Sequence, residues 1–339
     1  MGRRIRVFEP NIVYSVVIRA VDHCFVFKPD HNPKHPLLVA GCPLESFDRF
    51  NNTIPNPSVI NVIGACAARA KELAPVNLHW VEANSTHLQV GISVDRLEDV
   101  GNIAEFFRDF HSAVAVKLGK KWNWDGHIFA APYRATPCID EESVEQQLVY
   151  SVTNPVKDHL VGRVLESPYF TTFRQLGRGE KLKYFRIDWD AYNRAGEKRK
   201  KSHCPQDYLK WLELEITPIP GQEDWPEHRR HSWARAQIRA VEEQMKEELQ
   251  KKEQSAMGAA AQFRLDPRGR PRNPKGSGPQ PICHCADDNM RAQYKRRWRE
   301  IVSEHRAASI EYRLGFWERE FPEGTFRPPL IKPYQSSYL

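Results

Sequence analysis

The sequence predicts an α+β fold: an antiparallel sheet with packed helices, followed by a mostly helical, partly irregular C-terminal extension. Three observations carry this. Short segments near the start alternate apolar and polar residues with a period of two, as half-buried strands do. Separate segments between them carry apolar stripes at helical spacing. Past about residue 177 the texture turns to long, highly charged helical stretches broken by Pro and Gly.

In chain order, Tyr14–Ile18 alternates and His23–Phe27 is short and apolar, so both read as strands. The stretch 28–57 carries six prolines and reads as an irregular connection. Ser58 caps a helix running to about Leu73, with Val59, Ile63, Cys66 and Ala70 on one stripe, and Pro75 ends it. Val76–Val81 and Thr86–Ser93 read as strands. A helix from about Leu97 to Leu118 carries Ile103, Phe106, Phe107, Phe110 and Val114 on one face. The stretch 122–138 reads as irregular and aromatic, and a third helix starts near Ser143, giving the order ββαββαα. Beyond it lie mixed short patterns over 181–219, including the cluster Lys198–Lys201. A charged helix is expected over 229–263, then a Pro/Gly/Arg-rich linker, a basic helix over 287–314 and an extended tail over 321–329. The expected units are 1–176, 177–265, 266–285 and 286–339.

Composition excludes several classes. Of the 339 residues, 50 are Lys or Arg and 43 Asp or Glu, a net of +7. Residues 1–176 hold 18 basic and 19 acidic side chains, a net of −1, and the remainder 32 and 24, a net of +8. An evenly basic coat for nucleic acid is therefore excluded. No run of about 20 apolar residues exists to span a bilayer. Glu9, Pro10 and Asn11 stand where a signal peptide needs its apolar core. Seven irregularly spaced cysteines read as reduced thiols, which makes the cytoplasm the expected compartment.

Two segments carry candidate chemistry. In the strand Ala83–Ile92, Leu88, Val90 and Ile92 share one face and Ser85, His87 and Gln89 the other, so His87 is free to bind. In Ser143–Lys157, Val144, Leu148 and Val152 form one helical stripe, and Gln146, Tyr150 and Asn154 a second, roughly opposite. On pattern alone these remain a solvated histidine and a surface tyrosine.

These pieces, in this order, resemble a known family. The strand with a degenerate Pro-Asn-His-x-His-Leu, the aromatic segment after it and the helix Tyr150-Ser-Val-Thr-Asn-Pro-Val-Lys are similar to the single-tyrosine HUH transposases (IS200-like). Within that family the chain is most similar to the REP-associated tyrosine transposases. Tyr14-Ser-Val-Val-Ile-Arg19 and Pro132-Tyr-Arg134 are supporting pieces, and the likeness covers roughly residues 3–176. It implies an HUH/ferredoxin-like transposase domain that binds single-stranded or hairpin DNA. It further implies cleavage and rejoining through a 5′-phosphotyrosine intermediate. Tyr150 is then the nucleophile, His87 and Asn154 are ligands of Mg²⁺ or Mn²⁺, and Arg19, Tyr133, Arg134 and Lys157 are candidate DNA contacts. A phenol of pKa near 10 needs such help to attack at neutral pH.

The family's first histidine falls at Ser85, a poor direct ligand for a hard cation. Three readings follow: the ion is held weakly, His79 or His127 substitutes, or cleavage is lost. Cys283-His284-Cys285 is too tightly spaced to close a tetrahedral site, so no zinc is expected and these read as incidental linker residues. Arg291, Lys295, Arg296, Arg297 and Arg299, interleaved with Tyr294 and Trp298, suit a helix offering cations to phosphates. Trp122 and Trp124 are candidates to stack on bases. Two rivals remain, a non-catalytic palindrome-binding regulator and an RNA-binding or structural adaptor. A monomer and a homodimer are equally open.

Overall fold

The computed structural model describes residues 4–30, 57–196, 203–272 and 280–329. Its centre is a four-stranded antiparallel sheet of β1 (Val13–Arg19), β2 (Asn77–Asn84), β3 (His87–Ser93) and β4 (Arg134–Cys138), in the order β2-β3-β1-β4. Helices α1 (Val59–Leu73) and α2 (Val100–Trp122) connect β1 to β2 and β3 to β4 and cover one face. There Tyr14, Val16, Ile18, Leu88, Val90 and Ile92 meet Ile63 and the stripe Ile103, Phe106, Phe107, Phe110 and Val114. Ser58 caps α1 by accepting from the Asn61 amide at 3.1 Å. Asn123, left-handed at φ 46°, closes α2.

Helix α3 (Glu141–Lys157) lies across the second face. Val144, Leu148 and Val152 pack there with Val13, Trp80 and Cys138. Asp140 caps the helix, accepting from the Ser143 amide at 2.8 Å. Gly91 permits the seating of Trp80, because a Cβ at that position would come within 2.2 Å of the indole.

Several elements differ from the sequence expectation. His23–Phe27 is not a strand: the chain turns at Asp22 and His23 (φ 50° and 59°), and the amides of Phe25 and Phe27 donate to Gly269 and Ser85 carbonyls. β4 was hidden by Pro137, which the sheet accepts on its outermost strand. The region 181–219 contains a two-stranded sheet of β5 (Leu182–Ile187) and β6 (Leu209–Leu214), with α5 (Trp189–Arg194) between them; α4 (Phe173–Arg178) precedes it. Tyr184 of β5 sits on Gly64 of α1, so Leu182, Tyr184, Leu212 and Leu214 join the first core and extend it beyond residue 176. The cluster Lys198–Lys201 lies outside the described residues.

The long charged helix also divides. α6 (Glu227–Lys251) packs on α3 and α4 and stops; a short α7 (Ala259–Phe263) follows. Gly258 turns the chain at φ 81°, and the amides of Met257 and Gly258 donate to the carbonyls of His159 and Leu160. α8 (Asp288–Arg313) forms as expected, capped by Asp287. The stretch read as an incidental linker is docked where it is described. The His284 amide donates to Pro137 and the His284 carbonyl accepts from Ile139, so residues 280–287 form a strap along the free edge of β4. The β2 edge is covered in the same way by Phe170 and Thr172 and by Thr217. No helix among the described residues is long and apolar enough to cross a membrane.

Two outcomes follow. Gly91→Ala drives a methyl into Trp80 and lowers the stability measured by urea unfolding by about 1–3 kcal/mol. Glu82, fully buried against Thr172, has its carboxyl pushed up by that burial from 4.5 to about 7. The folded state therefore holds the proton more tightly than the unfolded chain. This contribution to stability is complete below about pH 4.5 and is lost as pH rises through about 7. Glu82→Gln, which cannot ionise, should remove that decline from a pH series of melts.

Candidate active site

The end of β1, the β2–β3 hairpin and the middle of α3 converge at one point. Asn84 and His87 are cross-strand partners flanking the Ser85-Thr86 turn, and His87 is also the partner of Arg19 on β1. Strand alternation turns His87 and Gln89 toward α3, with Leu88 fully buried on the opposite face.

Asn154 reaches down from α3 so that its Nδ2 lies 2.8 Å from His87 Nε2. Gln89 Nε2 stands 3.5 Å from the same nitrogen, and Thr86 Oγ1 lies 3.1 Å from Nδ1. As assigned, the Asn154 amide donates to Nε2, which leaves the imidazole proton on Nδ1 facing Thr86. Burial pushes the His87 imidazole down to about 4; Asp158 opposes this, while Arg19 and His23 add to it. The ring is therefore neutral at pH 7, the form that binds metals. Beside it, the Asn84 amide donates to Asp158 at 3.1 Å.

Tyr150, one turn before Asn154 on the same stripe, is 45% exposed. Lys157 Nζ lies 4.9 Å from the centre of its ring. The Arg19 guanidinium is half-buried, its pKa lowered by that burial and by Arg134 and raised by Tyr150. Lys157 and Arg19 thus stand beside an accessible phenol with Arg134 next to Arg19, and the three form no ion pair with a carboxylate among the described residues.

The donor set suits a hard cation in part. The 2.8 Å contact between His87 and Asn154 is a hydrogen bond from Asn154 Nδ2, so ligation would need the Asn154 amide to turn its Oδ1 inward and free the His87 Nε2 lone pair. Gln89 Oε1, beside them, is buried with no hydrogen-bond partner among the described residues. All three donors are neutral. No group of three His, Cys, Asp or Glu side chains able to hold a metal occurs among the described residues.

Ser85 does not share His87's face. It is in the turn, where its amide donates to Asn84 Oδ1 at 2.7 Å and its carbonyl accepts from Phe27. The face-sharing neighbour is Gln89, and the alternation that selected His87 also selects it. His79 is pinned at the far end of the sheet, its Nε2 2.9 Å from Ser93 Oγ and its Nδ1 against the carbonyls of Thr217 and Pro218. His127 is exposed on the loop before β4. His23, whose charge His87 feels, went unnoticed in the sequence because the turn that brings it close was read as a strand.

Among the candidate DNA contacts, Tyr133 is a core aromatic rather than a surface one. Its ring is 4.2 Å from that of Phe107 and 3.9 Å from the Arg6 guanidinium. Trp122 donates to the Val26 carbonyl, and Trp124 to that of His127. On α8, Arg297 pairs with Glu9 at 2.7 Å and Arg291 with Asp288. Lys295 is half-buried, and Arg296 and Arg299 are exposed.

No protein-family model matches the chain, and no curated protein does. A solved structure of a REP-associated tyrosine transposase bound to a REP hairpin overlaps 53% of this chain and 87% of its own, with 14% identity and a TM-score of 0.34. At that overlap the likeness is loose.

Asn154→Ala leaves the half-buried His87 Nε2 without its nearer donor. The expected loss is about 1–3 kcal/mol of stability in denaturant titration. In nuclear magnetic resonance of the native protein, the His87 ring should stay neutral down to about pH 4.

Proposed function

We propose that the chain binds single-stranded or hairpin DNA, and that it cleaves and rejoins a strand through Tyr150. The observation that carries this is the stripe on α3: an exposed tyrosine beside Lys157 and Arg19, one turn from an asparagine bonded to a neutral, half-buried histidine. The motif resemblance from Tyr150 to Lys157 supports the same reading.

In this mechanism Tyr150 Oη attacks the scissile phosphorus. The bond to the 3′-oxygen breaks, that oxygen takes up a proton, and a 5′-phosphotyrosine remains with a free 3′-hydroxyl. Reversal rejoins the strand without an outside energy source. Lys157, stacked against the ring, brings a positive charge to the side of the tyrosine that the phosphate approaches. Arg19 and Arg134 offer charge-assisted hydrogen bonds to the phosphate oxygens. His87, Gln89 and Asn154 would hold Mg²⁺ or Mn²⁺, which when bound polarises the scissile phosphate. Without a carboxylate among these donors the ion would be held weakly.

The test is incubation with hairpin-bearing single strands and Mn²⁺. A covalent protein–DNA adduct is expected in the native chain and absent in Tyr150→Phe, which should retain noncovalent binding. No adduct across varied hairpins, with binding intact, would sink the catalytic claim. It would leave the second reading, a palindrome-binding regulator, which the neutral donor set favours.

A further inference from the structure

The face of α8 turned toward α3 has no part in the chemistry described so far. Between the first turns of α8 and the N-terminal half of α3 is a cleft of about 500 Å³. Gln146 and Gln147 wall it on one side, Arg291 and Lys295 on the other, and the strap at Cys283 and His284 forms its floor. Arg291 and Lys295, four residues apart, are half-buried and turn inward beside the buried Tyr294, whereas Arg296 and Arg299 face solvent.

The cleft has the character of an anion site. One terminal nitrogen of Arg291 pairs with Asp288, but its Nε is buried without a hydrogen-bond partner among the described residues. A buried donor left without an acceptor is costly, so an acceptor supplied from outside is favoured. Three cations, Lys295, Arg291 and Arg4, act on the Cys283 thiol at the floor. Burial of the thiol and the nearby Asp140 carboxylate oppose them, and Asp140 is turned into the strap, accepting from Ala286 at 2.7 Å and Asp287 at 3.1 Å. The amide of Gln146 donates to Glu142 at 3.0 Å, so one carboxylate stands at the rim.

Location adds a direction. Gln146 is one helical turn, about 5.4 Å, before Tyr150 on the same stripe. At about 3.4 Å per nucleotide along a strand, that is a step of about one to two nucleotides. We propose that this cleft holds a backbone phosphate of the nucleic-acid strand adjoining the segment at Tyr150, with Arg291 and Lys295 as its cations and Gln146 and Gln147 as neutral donors. The identity of the ligand rests on the function proposed above. The C-terminal half then has a defined role, which is to extend the strand's path past the reacting phosphate.

The experiment uses the full chain and two fluorescein-labelled oligonucleotides, a hairpin with a single-stranded tail and the same hairpin without one. Affinity is followed by anisotropy across a salt series. Lys295→Ala and Gln146→Glu should weaken the tailed hairpin and spare the tail-less one. Lys295→Ala should also make the salt slope for the tailed hairpin shallower by about 0.7, the loss of one single-strand phosphate contact. Arg299→Ala, on the solvent face, should not distinguish the two. Both substituted side chains reach solvent, so the fold survives, and circular dichroism checks it. If Lys295→Ala weakens both hairpins equally, or neither, the cleft assignment is overturned. A native chain that binds neither hairpin overturns instead the nucleic-acid reading on which it rests.

Discussion

The hydrogen bond from Asn154 to the neutral ring of His87 is the constraint on which the site depends. It joins α3 to the β2–β3 hairpin where the hairpin turns, and so fixes which residues of α3 look outward and which look down. With Asn154 held at the sheet, Tyr150 one turn earlier must stand at the rim, and Lys157 one turn later must lie against its ring. The bond is half-buried. The same burial that keeps the imidazole unprotonated removes water that would compete for Nε2.

That contact needs α3 seated close to the sheet, and the seat is made elsewhere. Trp80 fills the space between helix and sheet only because residue 91 has no side chain. At the N-terminal end, Asp140 caps α3 and also accepts from the strap. Burial alone would raise its carboxyl, but hydrogen bonds from Cys285, the Asp287 amide and Ser143 hold it well below the usual range. One carboxylate thus ties β4, α3 and α8 together. The pose of Tyr150 is set from both ends of its helix.

How much of this was legible depended on whether a local pattern coincided with a packed surface. The phenylalanines of α2 were readable because five of the buried positions recur at helical spacing, and packing against the sheet rewards that spacing directly. β4 was not, because Pro137 suppresses strand character except on an outer strand, and which strand is outermost is a property of the whole sheet. Choosing Ser85 as the companion of His87 failed by the length of a turn. Alternation run through Ala83–Ile92 as one strand puts Ser85 and Gln89 both on the face of His87, but the hairpin closes at Ser85-Thr86, which leaves only Gln89. The strap was missed because its contacts are backbone hydrogen bonds to a distant edge, which leave no trace in side-chain periodicity.

The division of charge acquires a different sense once the chain is folded. Residues 1–176, net −1, and the remainder, net +8, look like a catalytic piece and a basic appendage. In space they interpenetrate. Tyr184 and Leu212 complete the core against α1, the strap extends the sheet at β4, and α8 brings Arg291 and Lys295 beside Gln146 of α3. Cations supplied by the second half therefore stand beside the helix that carries Tyr150 in the first. A fragment cut at residue 176 would lose apolar cover over α1 and the strap on β4 as well as the charge. Loss of binding in such a fragment would report unfolding as much as missing contacts, so the electrostatic role of the second half is separable only by single side-chain changes within the intact chain.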